Sequence, residues 1–162
     1  MLATPNLASC KRNHDAAHAP SPREVTDSSV AYFCGMSLGE HSGPKAQIFI
    51  RNLPDPYWFA SVRDAFAFLM LPETPKAVVA VYVNDMAKAK NWANPERATW
   101  MDAHKGLYVI GSRRRGGMNT DETIPFGTAA AAQQFVTAEG GRIVRFNDMP
   151  RAYVLGAKSG EK

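Results

Sequence analysis

Cysteine and histidine are scarce in this chain, and long apolar runs are missing. Only two cysteines, Cys10 and Cys34, and four histidines occur among 162 residues. Cys10 sits in a polar stretch, so a disulfide stapling it to Cys34 is not expected. No segment reaches the roughly 18 consecutive apolar residues that a membrane-spanning helix needs. Charged residues make up 21% and apolar residues 45%, the balance of a globular chain. The net charge of +4 and pI of about 9.2 favour anionic partners without identifying one. A chain of this length forms one domain or two small halves. It can bury about 68–70% of its unfolded surface without staples.

The N-terminus reads as an attachment segment. LASC at 7–10 has the form of a bacterial lipobox, in which the cysteine becomes lipidated. Only MLATPN precedes it, which is short of the apolar stretch a signal peptide requires. Chance and a truncated start both account for that. Residues 11–29 are rich in Pro, Ser, Asp and charge, so 1–29 reads as a lipobox remnant and flexible linker. His14 and His18 could share a helix face but sit in this polar stretch, where solvation is the simpler reading.

From Val30 the pattern changes. KAQIFI (45–50) puts Ala46, Ile48 and Ile50 on one face of a strand. Phe59, Val62, Phe66 and Leu69 follow helical spacing, with Ser61 as cap and LPETP as stop. AVVAVYV (77–83) is a β-branched strand. The order then recurs: GLYVIGS (106–112) is a strand, an alanine-rich helix starts at Thr128 and stops at Gly140 and Gly141, and RIVRF (142–146) returns. FASVRDAFAF and FGTAAAAQQF share Phe and Ser/Thr spacing, and VYVNDM (81–86) and VRFNDM (144–149) share an ending. An internal strand–helix–strand repeat follows, with a further short strand in front. The expected fold is α+β, two ββαβ-like halves (about 30–86 and 101–149) in one unit spanning 30–150, with residues 151–162 as a flexible tail.

The chemistry centres on sulfur. Met70 and Met101 fall within apolar patterns and read as core, whereas Met36, Met86, Met118 and Met149 each follow a polar or glycine-containing turn. Cys34 and Met36 stand two residues apart in FCGM. Soft donors of this kind select Cu(I), while a structural zinc site calls for four stronger ligands. A buried cysteine acting as a small hydrophobe is the competing reading of Cys34. Asp85 could lend an oxygen to a metal, but Asn-Asp is also ordinary turn chemistry.

FCGM (33–36), HSGPKAQIFI (41–50), WFASVRDAFAFLMLPE (58–73), VYVNDM (81–86), DAHKGLYVIGSRRRGGM (102–118) and PFGTAAAAQQFVTAEGGRIVRF (125–146) together resemble the NosL family, copper accessory proteins of nitrous oxide reductase. The resemblance runs from about Phe33 to Pro150. It implies two ββαβ-like halves and a periplasmic lipoprotein anchored to a membrane through Cys10, although the chain as given lacks a complete signal peptide. It also implies a metallochaperone that is not an enzyme. Such a protein would bind Cu(I) and deliver it to nitrous oxide reductase for its copper–sulfur centre, in exchange with other copper-delivery proteins of the periplasm. Cys34 and Met118 are the expected ligands. Met36 lies nearby, and Met86 and His41 are candidate third donors. Gly116 and Gly117 would let the loop carrying Met118 fold over the first half.

Two other classes compete. The halves are also similar to those of organomercury lyases, which raises a thiol enzyme built on Cys34. However, carbon–mercury cleavage calls for more thiols than the folded part holds, and fold alone transfers no activity. SRRRGG (112–117) is basic, as in a nucleic-acid module, but the strands lack interleaved aromatic and basic residues, so no nucleic acid is expected. Arg113, Arg114 and Arg115 are read as serving docking to an acidic partner or local loop order, not metal binding, because guanidinium has no lone pair to give.

Overall fold

A computed structural model describes residues 19–74, 77–95 and 97–156. Cys10, His14, His18 and residues 157–162 lie outside the described residues.

The first half runs β1 (Ala46–Ile50), β2 (Tyr57–Phe59), α1 (Val62–Met70) and β3 (Val78–Asn84). After β4 (Trp100–Asp102), the second half runs β5 (Leu107–Ile110), β6 (Ile124–Phe126), α2 (Ala129–Glu139) and β7 (Arg142–Arg145), followed by a short α3 (Arg151–Leu155). The two sheets have orders β2-β1-β3-β4 and β6-β5-β7, and every pairing is antiparallel. The expected duplication is therefore present: one central strand per half, flanked by its short partner and by the strand returning from the helix.

Register refines the alignment of the halves. Ala46 faces Phe59 as Leu107 faces Phe126, which matches the shared Phe and cap positions. On the returning strands, Ile48 faces Val81 while Val109 faces Ile143. Val81 thus corresponds to Ile143 and not to Val144, so the two Asn-Asp-Met endings are one residue out of step. They also differ in setting: Asp85 is buried at a strand end, and Asp148 is exposed in a 3-10 turn.

Helix caps behave as their chemistry dictates. The Ser61 and Thr128 hydroxyls accept from the backbone N–H of Asp64 and Ala131. Phe59 belongs to β2 and not to the helix it was assigned to, because the cap at Ser61 starts α1 at Val62.

Alternation along β5 shows how the layers stack. Tyr108 and Ile110 join a core with Ala46, Ile48, Phe66, Val81 and Val83, while Leu107 and Val109 join Phe126, Ala132 and Phe135. Val144 and Ile143 of β7 divide the same way. Helix α1 thus lies between the sheets, with Phe66 edge-on to Tyr108 at 5.1 Å, and α2 covers the outer face of the second sheet.

Three boundaries differ from expectation. The linker is bound from Pro20 onward: Tyr82 donates to its carbonyl at 2.7 Å, and the buried Gln47 amide exchanges two hydrogen bonds with the Arg23 backbone. Residues 151–155 form α3 on α1, with Val154 in the main core and Arg151 donating to the Met70 carbonyl, so the tail is not free there. β4 extends the first sheet through Tyr82–Asp102 and Val83–Met101, although residues from 101 onward read as the second half.

Two carboxylates cross between the halves. Asp85, at the end of β3, accepts from Gly127 N at 2.8 Å and from Ala87 N at 3.0 Å, pinning the entrance to α2. Glu122, just before β6, accepts from Ser61 Oγ at 3.1 Å and Arg63 N at 3.0 Å at the entrance to α1. Hydrogen bonds to a charged acceptor contribute about 1.5–3 kcal/mol. Asp85→Ala is therefore expected to lower stability by about 1–3 kcal/mol in chemical denaturation. Asp85→Asn, which keeps an acceptor oxygen, should lose clearly less; equal losses would contradict the role.

Candidate metal centre

Residues 30–37 form a tight loop. Val30 bridges to Ser37, Ala31 N donates to the Met36 carbonyl, and Gly35 N donates to the Ala31 carbonyl. Tyr32 N donates to the Trp58 carbonyl on β2, and the Tyr32 ring sits 4.6 Å from Tyr57 and 5.2 Å from Phe68. These contacts root the loop while leaving its apex outside. Cys34 is exposed, and Val30, Tyr32, Phe33 and Met36 are each nearly half exposed. Of the apolar run before the thiol only Ala31 is buried, packed with Leu38 and Ala60, because the backbone is taken up by the loop and by β2.

His41, a candidate third donor, stands beside Cys34. Its ring is buried, and Nε2 lies 3.7 Å from Cys34 Sγ. The backbone around it is held from beneath by Lys45, whose buried ammonium donates to the His41 and Gly43 carbonyls, both at 2.6 Å. Burial pulls the Lys45 amine down to about 8, while the nearby Glu122 charge pulls it back up.

The loop after β5 carries Met118. A Cβ on Gly117 would lie 2.8 Å from the Ser42 carbonyl oxygen and 2.9 Å from His41 Cβ, so this backbone rests directly on the histidine segment. Backbone cannot yield as a side chain tip can, so only glycine fits. Met118 follows at once and is 55% exposed. Cys34 and His41 thus meet, and the segment that carries Met118 rests on the histidine segment through Gly117.

The remaining sequence candidates divide clearly. Met36 shares the Cys34 loop. Met86 packs against the second-half core, its N–H bonded to the Pro125 carbonyl, so His41 is the candidate third donor that actually meets Cys34. Met149 is buried in the main core despite its turn, consistent with its omission from the site. Met70 and Met101 pack against the same core.

The arginines have internal partners. Arg113 donates to the Ala138 carbonyl, Arg114 lies 4.4 Å over the Trp92 ring, and Arg115 pairs with Asp121. Local loop order is the role these contacts favour. Each contact is exposed and contributes only about 0.2–1 kcal/mol, so the loop is ordered but not locked.

Sequence reasoning missed Glu122, which carries no spacing signal. It is fully buried beneath the loop. Oε1 accepts from Ser61, Arg63 and Thr123, while Oε2 has no partner among the described residues. Burial pushes its carboxyl up to about 7, against the opposing pull of those hydrogen bonds.

The arrangement defines a small α+β domain presenting thiol, thioether and imidazole at an exposed seam, the donor class that suits a soft, exchangeable metal. The chain belongs to the NosL family, whose match covers residues 22–154. It is 42% identical over 150 residues to a "copper-binding lipoprotein NosL" of Achromobacter cycloclastes, covering 92% of this chain and 77% of that protein. It is 26% identical over 153 residues to the protein of that name from Stutzerimonas stutzeri, covering 94% and 78%. The crystal structure of the copper chaperone NosL from Shewanella denitrificans superposes with a TM-score of 0.76 at 30% identity, covering 82% of this chain and 97% of that one. The solution structure of apo-NosL from Achromobacter cycloclastes gives a TM-score of 0.52 at 41% identity, covering 72% and 94%.

Glu122 sets a pH dependence of stability. Its folded-state value lies above the unfolded 4.5, so the native state holds the proton more tightly. The stability it contributes is fully present below pH 4.5 and is lost as pH rises through about 7. Glu122→Gln, which is neutral throughout, should match the parent at low pH. At pH 8 it should exceed it by something on the order of 2–3 kcal/mol. A variant less stable than the parent at pH 8 in urea unfolding would refute this sign.

Proposed function

We propose that this chain is a periplasmic metallochaperone that binds Cu(I) through Cys34 and Met118, with His41 as third donor and Met36 in reserve. It hands the metal to nitrous oxide reductase for assembly of its copper–sulfur centre. The observation that carries the reading is the convergence at the seam: Cys34 Sγ lies 3.7 Å from His41 Nε2, and Gly117 seats the Met118 loop on that same histidine. A thiolate neutralises Cu(I), and neutral thioether and imidazole complete a low coordination number that exchanges readily. The copper in the names of the similar proteins supports the choice of metal.

Exposure supports transfer over storage. Cys34 and Met118 are open to an incoming ligand, and Val30, Tyr32, Phe33 and Met36 form an apolar collar beside them. Exposed apolar residues grouped in this way mark an interaction surface. Arg113, Arg114 and Arg115 add positive charge on the Met118 loop, which favours an acidic rim on the partner.

Anaerobic Cu(I) titration with X-ray absorption tests the site. Cys34→Ala should abolish tight binding, and Met118→Leu should weaken it and remove one sulfur neighbour, with stability changed by less than about 1.5 kcal/mol. Parent-like affinity in both variants would exclude this ligand set.

We further propose that Cys10 carries a lipid in the natural product, as the word lipoprotein in the relatives' names suggests. Cys10 lies ten residues before Pro20, where the domain first holds the chain, which leaves a tether of at most about 35 Å. Cys10→Ala expressed from the natural gene should move the protein from the membrane fraction to the soluble periplasmic fraction. Retention in the membrane fraction would argue against the anchor.

A further inference from the structure

We propose that Glu122 is a proton-operated positioning residue for the Met118 loop: the loop seats while the carboxyl is neutral and loosens when it ionises. The significance of this coupling for metal exchange rests on the copper reading above, but the coupling itself is a property of the metal-free chain.

Geometry carries the argument. Oε1 takes all three donors that reach the carboxyl: Ser61 Oγ at 3.1 Å, Arg63 N at 3.0 Å and Thr123 N at 2.8 Å. Oε2 is buried without a donor among the described residues. It faces Gly116, 2.7 Å from where a Cβ would stand. Gly116 N donates to the Thr120 carbonyl, and Asn119 N donates back to the Gly116 carbonyl, so residues 116–120 move as one closed turn. Gly117 of that turn rests on His41 and Ser42, and Met118 is its next residue. Displacing Gly116 therefore displaces Met118.

A neutral carboxyl can stay dry against an α-carbon. An ionised one places negative charge on an oxygen with no donor, which is costly in a buried site. Relief requires a donor or water to reach Oε2, and Gly116 stands in the way. The surrounding groups poise this balance. The Lys45 ammonium favours ionisation and the Asp64 carboxylate opposes it, while His41 acts on Asp64. The Tyr153 hydroxyl donates to the Glu122 backbone carbonyl and Arg63 stacks over its ring, whereas Asp121 is turned outward to Arg115. Glu122 stands four residues from Met118, so it acts through the turn and not as a ligand. Ionisation would loosen the thioether donor as pH rises, opposite to the trend of the thiolate, which gains affinity with pH.

The test is methyl-¹³C methionine NMR of the metal-free protein across neutral pH, alongside the Glu122 carboxyl carbon. The expected result is a one-step shift of the Met118 methyl with the midpoint of the Glu122 carboxyl, near 7, and a flat trace for the core residue Met149. In Glu122→Gln that step should vanish. A Met118 methyl that does not share the Glu122 midpoint in the parent overturns the proposal, and this comparison needs no variant. A step that persists unchanged in Glu122→Gln belongs to another group and overturns it equally. Failure to bind Cu(I) would sink the copper reading and leave this coupling standing.

Discussion

Each half of this chain supplies the carboxylate that finishes the entrance to the other half's helix. Asp85 leaves the first sheet and accepts from Gly127 before α2, while Glu122 leaves the second half and accepts from Ser61 and Arg63 at the start of α1. Helix entrances carry unpaired N–H groups, so a buried acceptor oxygen there is worth more than an average surface contact. The exchange ties the register of one half to the placement of the other. Apolar packing of α1 between the sheets supplies the larger energy, but it is not directional. The crossed carboxylates fix how the halves meet, and every donor of the candidate centre lies on a loop at that meeting.

The consequences run outward from the seam. Glu122 supports Gly116 from below, and Lys45 supports the His41 carbonyl from the other side. Both are buried ionisable groups, costly to charge away from water, and each is engaged by backbone. Above them, cysteine and methionine are exposed. The rigid, polar part of the site is thus hidden and the soft donors are free to be approached. A closed site would invert this, with ligands buried and supports unimportant.

Much of this was legible in the sequence. The duplication could be read from Phe59 and Phe126 and from the caps Ser61 and Thr128, because period and cap chemistry are local. The shared Asn-Asp-Met endings misled by one residue, since identical triplets ended a strand in one half and formed a 3-10 turn in the other. The linker and tail were read as free because they are polar, yet Gln47, Tyr82 and Val154 capture them through contacts remote in sequence. The donor loops were marked by Cys34, Met118 and paired glycines. Glu122 had no such mark: a glutamate in DET looks like any solvated turn, and its burial follows from the packing of both halves.

The same separation would let the candidate site be both specific and labile. Preference for a soft ion would come from which atoms are offered, and that is set by the backbone placements of the three candidate donors. Lability comes from how those placements are held. Cys34 hangs from a loop rooted by aromatic contacts, and Met118 from a turn whose side-chain ties are exposed and weak. His41 alone is buried and braced. The thioether arm can therefore swing while the imidazole stays, so a metal at this seam would lose its sulfur ligands one at a time. Stepwise replacement of ligands keeps the ion coordinated throughout an exchange, which a rigid cage of buried donors could not allow.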